Sequence, residues 1–113
     1  MEIREERVEG DIVVVIVVGR LDPVTAGELE PPLLAAAAAP TRGLVLDLGG
    51  VDYVSSAGLR VLLMAGKRLH ERRGRLTLHG VRPYVKQILE LAGFATLFPL
   101  CASREEAVAA ARG

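Results

Sequence analysis

The run Ile12-Val13-Val14-Val15-Ile16-Val17-Val18 constrains this chain more than any other feature. Every side chain in it is apolar and β-branched, which favours a pleated strand over a helix. No polar residue alternates with the apolar ones, so the strand has to be covered on both faces. The run is also far shorter than the roughly 20 residues a membrane helix needs. A strand hidden on both sides requires a packed layer above and below it. That points to a mostly parallel sheet flanked by helices.

The other segments are consistent with that plan. Ile3 to Glu9 mixes charges with the apolar anchors Ile3 and Val8, as an exposed edge strand does, and Glu9-Gly10-Asp11 supplies the turn of a hairpin. Gly19 and Arg20 are expected to end the Val-rich strand. Asp22-Pro23 opens a helix, with Asp as N-cap and Pro at the first helical position. That helix directs Val24, Gly27, Leu29, Leu33 and Leu34 inward. Pro31-Pro32 predicts a kink or two short pieces before Pro40 ends the alanine run. Leu44 to Leu48 reads as a second buried strand, closed by Gly49-Gly50. After Val51 to Val54, Ser55-Ser56 opens the longest helix, reaching to about Arg73. Leu59, Leu62, Leu63, Gly66 and Leu69 are expected on one side of it. Arg60, Met64, Lys67 and Glu71 form a stripe on the other. Leu76 to His79 is a third strand, Pro83 to Leu91 a helix closed by Gly93, and Leu97 to Leu100 a short last strand. Ser103 and Glu106 predict a capping box for a terminal helix. The expectation is one α/β domain over residues 1–113, with a mixed, mostly parallel sheet of four to five strands, an antiparallel first strand and about four helices.

Composition narrows the function. Fourteen Lys and Arg balance fourteen Asp and Glu, and aromatics are 4% of the chain with no Trp. That argues against disorder and against a direct nucleic-acid binder, which needs basic excess and often stacking aromatics. The lone Cys101 suits a reducing compartment, and the acidic start Met1-Glu2-Ile3-Arg4-Glu5-Glu6 is the opposite of a secretory signal. A cytoplasmic protein without membrane insertion is expected. No HExxH, P-loop or GxGxxG is present, so no metal, cofactor or catalytic residue is assigned. Ser56-Ala57-Gly58 matches half of a nucleophile elbow, but Val54 stands where the first Gly belongs. Asp47 invites comparison with a phospho-accepting receiver domain, yet the Val-rich strand lacks the acidic pair that would hold Mg²⁺. Asp47 reads better as an acceptor for loop amides. His70, His79 and Cys101 read as solvated or packed side chains.

The distinctive segment is Val51-Asp52-Tyr53-Val54-Ser55-Ser56-Ala57-Gly58-Leu59-Arg60-Val61-Leu62-Leu63. It places two hydroxyls at a helix N-terminus, where free N–H groups and the macrodipole favour negative charge. Two readings stay open from the local pattern. Ser55 simply caps the helix, or the pair is a place where phosphate is accepted without unfolding and then turns a partner away.

At this segment the chain resembles the anti-sigma factor antagonists of bacteria, which share the STAS domain with sulphate-transporter tails. The family has a hydrophobic pair followed by Asp-Ser-Ser/Thr-Gly-Leu-Gly/Arg and an apolar helix. The likeness extends to Gly19-Arg20-Leu21-Asp22, to Leu89-Glu90-Leu91-Ala92-Gly93-Phe94 with Leu97-Phe98, and to Ser103 through Ala110. It implies a non-enzymatic regulator that binds an anti-sigma factor serine kinase while unphosphorylated and so frees a sigma factor. A serine phosphatase resets it. Aligning Gly58-Leu59 places the phospho-acceptor on Ser56. Ser55 replaces the family's Asp and becomes a second choice. Asp22 is expected to bond the acceptor hydroxyl or repel its phosphate, and Gly58 to leave room for a partner's backbone. Arg60 and Met64 are further candidate partner contacts. Monomer and weak dimer both stay open. Other readings are an accessory subunit of a lipid-transporting ABC system, whose components the lone STAS proteins also resemble, and a nucleotide or phosphate sensor.

Overall fold

A computed structural model describes all 113 residues. Ten elements follow one another: β1 (Glu2–Glu9), β2 (Ile12–Leu21), α1 (Pro23–Ala36), β3 (Gly43–Val54), α2 (Ser56–Glu71), β4 (Arg75–His79), α3 (Pro83–Leu91), α4 (Phe94–Leu97), β5 (Leu100–Cys101) and α5 (Arg104–Arg112). The five strands lie side by side in chain order. β1 is antiparallel to β2, and every later neighbour is parallel. This is the mixed, mostly parallel α/β sheet the sequence predicts.

Two unequal cores explain the Val-rich run. Val13, Val15 and Val17 face a main core of 23 buried residues shared with α1, α2 and α3. Val14 faces a second core of 4, made with Val45 and with Ala107 and Ala111 of α5. Each fully buried Leu of the main core, such as Leu29, Leu33, Leu62 and Leu69, contributes about 2 kcal/mol by leaving water. The Phe98 ring packs directly on α2 because Gly66 has no Cβ there.

Several boundaries differ from expectation. β2 passes through Gly19 and Arg20 to Leu21, because Gly19 at φ +127° absorbs a register shift rather than ending the strand. β3 likewise runs through Gly49-Gly50 to Val54. A Cβ at Gly50 would lie 2.8 Å from a Val18 methyl, so the glycine lets the strands close up. α1 is one helix through Pro31 and Pro32 and ends at Ala36, well before Pro40. Both prolines are exposed, as are Gly27 and Glu28, whose carbonyls lose their N–H partners and can turn to water. Val24 is 72% exposed and Gly27 also faces out, while Ala26 and Ala36 pack inward. On α2 the buried face is Gly58, Val61, Leu62, Ala65, Gly66 and Leu69; Leu63 is 42% exposed. The predicted strand at Leu97–Leu100 is instead one turn of helix followed by a two-residue strand. Ser103 caps α5 through the Glu106 N–H at 3.1 Å, but Glu106 reaches back to the Ala102 N–H at 3.2 Å rather than to that of Ser103.

Candidate functional site

The parallel strands β2 and β3 deliver two helix starts to the same end of the sheet. β2 ends at Leu21 and β3 at Val54, which are paired neighbours. The Ser55 N–H donates to the Leu21 carbonyl at 2.8 Å, tying the second helix start to the first. A Cβ on Gly58 would lie 2.6 Å from Leu21 Cγ and 3.2 Å from the Leu21 carbonyl oxygen. Glycine at 58 is therefore what allows the first turn of α2 to lie against Leu21. This corrects the expectation that Gly58 makes room for a partner: it is buried, and its space belongs to Leu21.

Ser55 and Ser56 have opposite surroundings. Ser55 has extended backbone at φ −83°, ψ 169°, and its Oγ accepts the Gly58 N–H at 3.1 Å. Its residue is 7% exposed. Ser55 is thus the N-cap, and its hydroxyl is enclosed, which removes it as an acceptor reachable from solvent. Ser56 is the first helical residue and is exposed. No acidic side chain lies in the first turn of α2, so the positive end of its dipole carries no neutralising charge there. The arrangement can hold a new anion at Ser56 without disturbing the cap.

Asp22 caps α1. Its Oδ1 accepts the N–H groups of Val24 and Thr25, each at 2.9 Å, while Thr25 Oγ1 accepts the Asp22 N–H at 2.9 Å and donates to the Arg20 carbonyl at 2.6 Å. These bonds, the Thr25 N–H first, hold the Asp22 carboxyl below its ordinary range, and nearby Arg20 adds to the effect. The Asp22 carboxylate bonds within its own helix start, and no hydrogen bond joins it to Ser56. Arg60 is exposed on the stripe that follows Ser56, and Met64 is half-buried.

Three features here were not anticipated. Thr25 completes a capping box in which Thr replaces the usual Glu or Gln, a signal present in Asp22-Pro23-Val24-Thr25. Val24 and Leu63 add exposed apolar surface, at 72% and 42%. The Arg20 guanidinium stands 4.0 Å over the Tyr53 ring, a pairing set by strand register and hidden from a linear reading.

Elsewhere, Asp47 Oδ1 accepts the Gly49 N–H at 2.9 Å, as its sequence context suggests. His79 Nε2 lies 3.8 Å from Asp47 Oδ2 and is buried without a hydrogen bond. His70 is exposed, and Cys101 is half-buried. Burial, and then the Glu106 charge, push the Cys101 thiol up, away from a reactive thiolate. No group of three or more His, Cys, Asp or Glu side chains is placed to hold a metal.

With this fold and helix mouth in place, comparison with known proteins identifies the class. A family model described as "Mlab, STAS domain" matches residues 5–100. The chain belongs to the STAS domain family. It is 38% identical to the candidate anti-sigma factor antagonist BtrV of Bordetella bronchiseptica, over 97% of this chain and 94% of that one. It is 28% identical to the anti-sigma-B factor antagonist of Listeria monocytogenes, over 88% and 86% of the two chains. The crystal structure of an anti-sigma factor antagonist from Mycobacterium paratuberculosis superposes with a TM-score of 0.87 at 29% identity, covering 99% of this chain and 94% of that one. The fold is shared with unphosphorylated SpoIIAA at a TM-score of 0.84 and 21% identity, over 99% and 97% of the chains. No helix is long and apolar enough to cross a membrane.

Proposed function

We propose that this protein is a cytoplasmic, phosphorylation-switched anti-sigma factor antagonist with Ser56 as its acceptor. Unphosphorylated, it binds an anti-sigma factor serine kinase and so releases a sigma factor. The kinase then transfers the γ-phosphoryl of ATP to Ser56: the Ser56 Oγ–P bond forms, the bond to the β-phosphate oxygen breaks, and the hydroxyl proton and ADP leave. A serine phosphatase hydrolyses the ester and restores the starting state. The observation that carries this reading is the contrast between an exposed Ser56 and an enclosed Ser55 at one helix start. The names of the related antagonists support it.

The physics of the switch is local. A phosphoryl group adds about −1.5 to −2 charge at neutral pH. The α2 dipole tolerates it, so the fold survives. The same charge joins that of Asp22 on the surface formed with Val24, Arg60 and the half-buried Met64, and a partner fitted to a neutral hydroxyl is repelled there. Incubation with the cognate kinase and Mg-ATP is expected to add one phosphate, which mass spectrometry maps to Ser56. Ser56→Ala keeps kinase binding and accepts no phosphate, whereas Ser56→Asp weakens the complex. Phosphate found on another residue, or a Ser56→Asp complex as tight as the unmodified one, overturns the reading.

A further inference from the structure

The paired ends of β2 and β3 do not run in step. Their register passes from Gly19 opposite Val51 to Arg20 opposite Tyr53, and Asp52 is skipped. Continued pairing would put Arg20 opposite Asp52, where the carboxylate would take up its guanidinium. The shift gives it a ring instead: the guanidinium stands over Tyr53, 4.0 Å from the ring centroid. Bulges of this kind re-aim side chains beside functional sites.

The charge so placed is unspent. Arg20 is exposed and belongs to none of the chain's ion pairs, which are Arg4–Glu2, His79–Asp47, Arg104–Glu6 and Arg112–Glu9. Thr25 Oγ1 donates to the Arg20 carbonyl at 2.6 Å and fixes its backbone, while the guanidinium has no acceptor within the chain. Asp22 is near enough for its carboxyl to feel that charge, but its Oδ1 is engaged by the N–H groups of Val24 and Thr25. A guanidinium over a ring loses water from one face only. Its five N–H donors lie in its own plane and stay directed outward.

We propose that Arg20, held over Tyr53, receives a carboxylate of the anti-sigma factor serine kinase, an Asp or Glu side chain engaged by two N–H donors at once. Tyr53 is its positioning residue. The inference rests on the proposed function and adds to it a contact that selects the partner by charge. Ser56 sets when the partner leaves; Arg20 sets which partner is accepted, because a kinase with a cation at that point is turned away. The placement suits this. Arg20 lies two residues before Asp22 and Tyr53 three before Ser56, and three residues span no more than about 11 Å. Leu21 and Val54, the next residues on the two strands, turn into the main core, so Arg20 and Tyr53 face the other side of the sheet. The second core covers that side at Val14 and Val45, well back along the same strands. A partner seated on the helix mouths therefore meets the stack by reaching over the strand ends.

Affinity of the full chain for the cognate kinase, measured across a variant series, tests this. Arg20→Gln is expected to weaken the complex about tenfold or more, and Arg20→Glu further. Arg20→Lys keeps the charge but has no fork, so it restores only part of the loss. Tyr53→Leu removes the ring and weakens binding roughly two- to fivefold, while Tyr53→Phe keeps the ring and binds as the unmodified chain does. The discriminating variant is Arg20→Gln/Tyr53→Leu, which should bind no more weakly than Arg20→Gln alone; a merely structural tyrosine would add its own loss in full. In kinase assays Arg20→Gln raises the KM for phosphorylation and leaves kcat unchanged, since Ser56 is untouched. Equal binding by the unmodified chain, Arg20→Gln and Arg20→Glu overturns this inference and leaves the switch standing. Additive losses in the double variant overturn the role of Tyr53. A kinase that does not bind the unmodified chain overturns the proposed function, and this inference with it.

Discussion

The two helix starts at the carboxyl end of the sheet touch, yet they are finished differently. At α1 a carboxylate accepts two N–H groups and Thr25 closes the box, so the position is both charged and saturated. At α2 a buried hydroxyl accepts one N–H group, and the next residue, Ser56, faces water with no acid in the first turn. The first start has its negative charge built in. The second is neutral and can acquire one. Only the second kind changes its charge when an anion is added there, and a partner that spans both starts meets that change against a constant background.

The largest expected effect comes from forcing the two starts apart. Gly58→Val drives a branched side chain into Leu21, which is fully buried and cannot yield, and should cost about 3 kcal/mol in denaturant unfolding. A variant as stable as the parent would show that α2 does not depend on this close approach. Next, Ser55→Ala removes the α2 cap and is expected to cost about 1 kcal/mol; no change in the melting curve would move the cap to another group. Smaller again, Ser56→Asp places a charge at the unsaturated start and should stabilise the fold by about 0.5 kcal/mol at low salt, fading as salt is added. A loss of stability would mean that this helix start does not welcome an anion.

The smallest effect at neutral pH concerns the saturated start. The folded-state pKa of Asp22 lies below the ordinary value of 3.8. The stability it lends is therefore complete above that value and is lost as the pH falls through the lower, folded one. Asp22→Asn keeps an acceptor oxygen and should flatten part of the decline in stability between about pH 5 and about pH 2. An acid limb identical in both proteins would show that the Asp22 charge contributes nothing. Glu6 and Glu9, lowered by Arg104 and Arg112, act with the same sign, weakened by their exposure to water and salt.

Much of this was legible in the chain because local rules act on neighbours in sequence. The β-branched run, the Asp22-Pro23 and Ser55-Ser56 helix starts and the Gly93 stop each follow from residues within one turn of one another. Glycines misled where their use is tertiary. Gly19, Gly49 and Gly50 looked like strand ends and instead lie inside longer strands: Gly19 takes a positive φ at a register shift, and Gly50 leaves room for Val18 of the neighbouring strand. Pro31-Pro32 looked like a break and is carried on the solvent side of one helix. At the candidate site, the difference between Ser55 and Ser56 follows from one cap bond and the burial around it. The Arg20–Tyr53 stack and the packing of Gly58 on Leu21 depend on which strands lie side by side, and linear spacing carries no such information.

β1 is almost wholly exposed, and its sequence Glu2-Ile3-Arg4-Glu5-Glu6-Arg7-Val8-Glu9 puts charge at most positions along the open border of the sheet. Unpaired strand borders invite further strands, and charged side chains discourage them. An approaching chain that tried to extend the sheet there would have to bring matching charges in register. Recruitment by backbone pairing is thus disfavoured on that flank, which leaves side-chain recognition at the helix mouths as the easier way to engage this molecule.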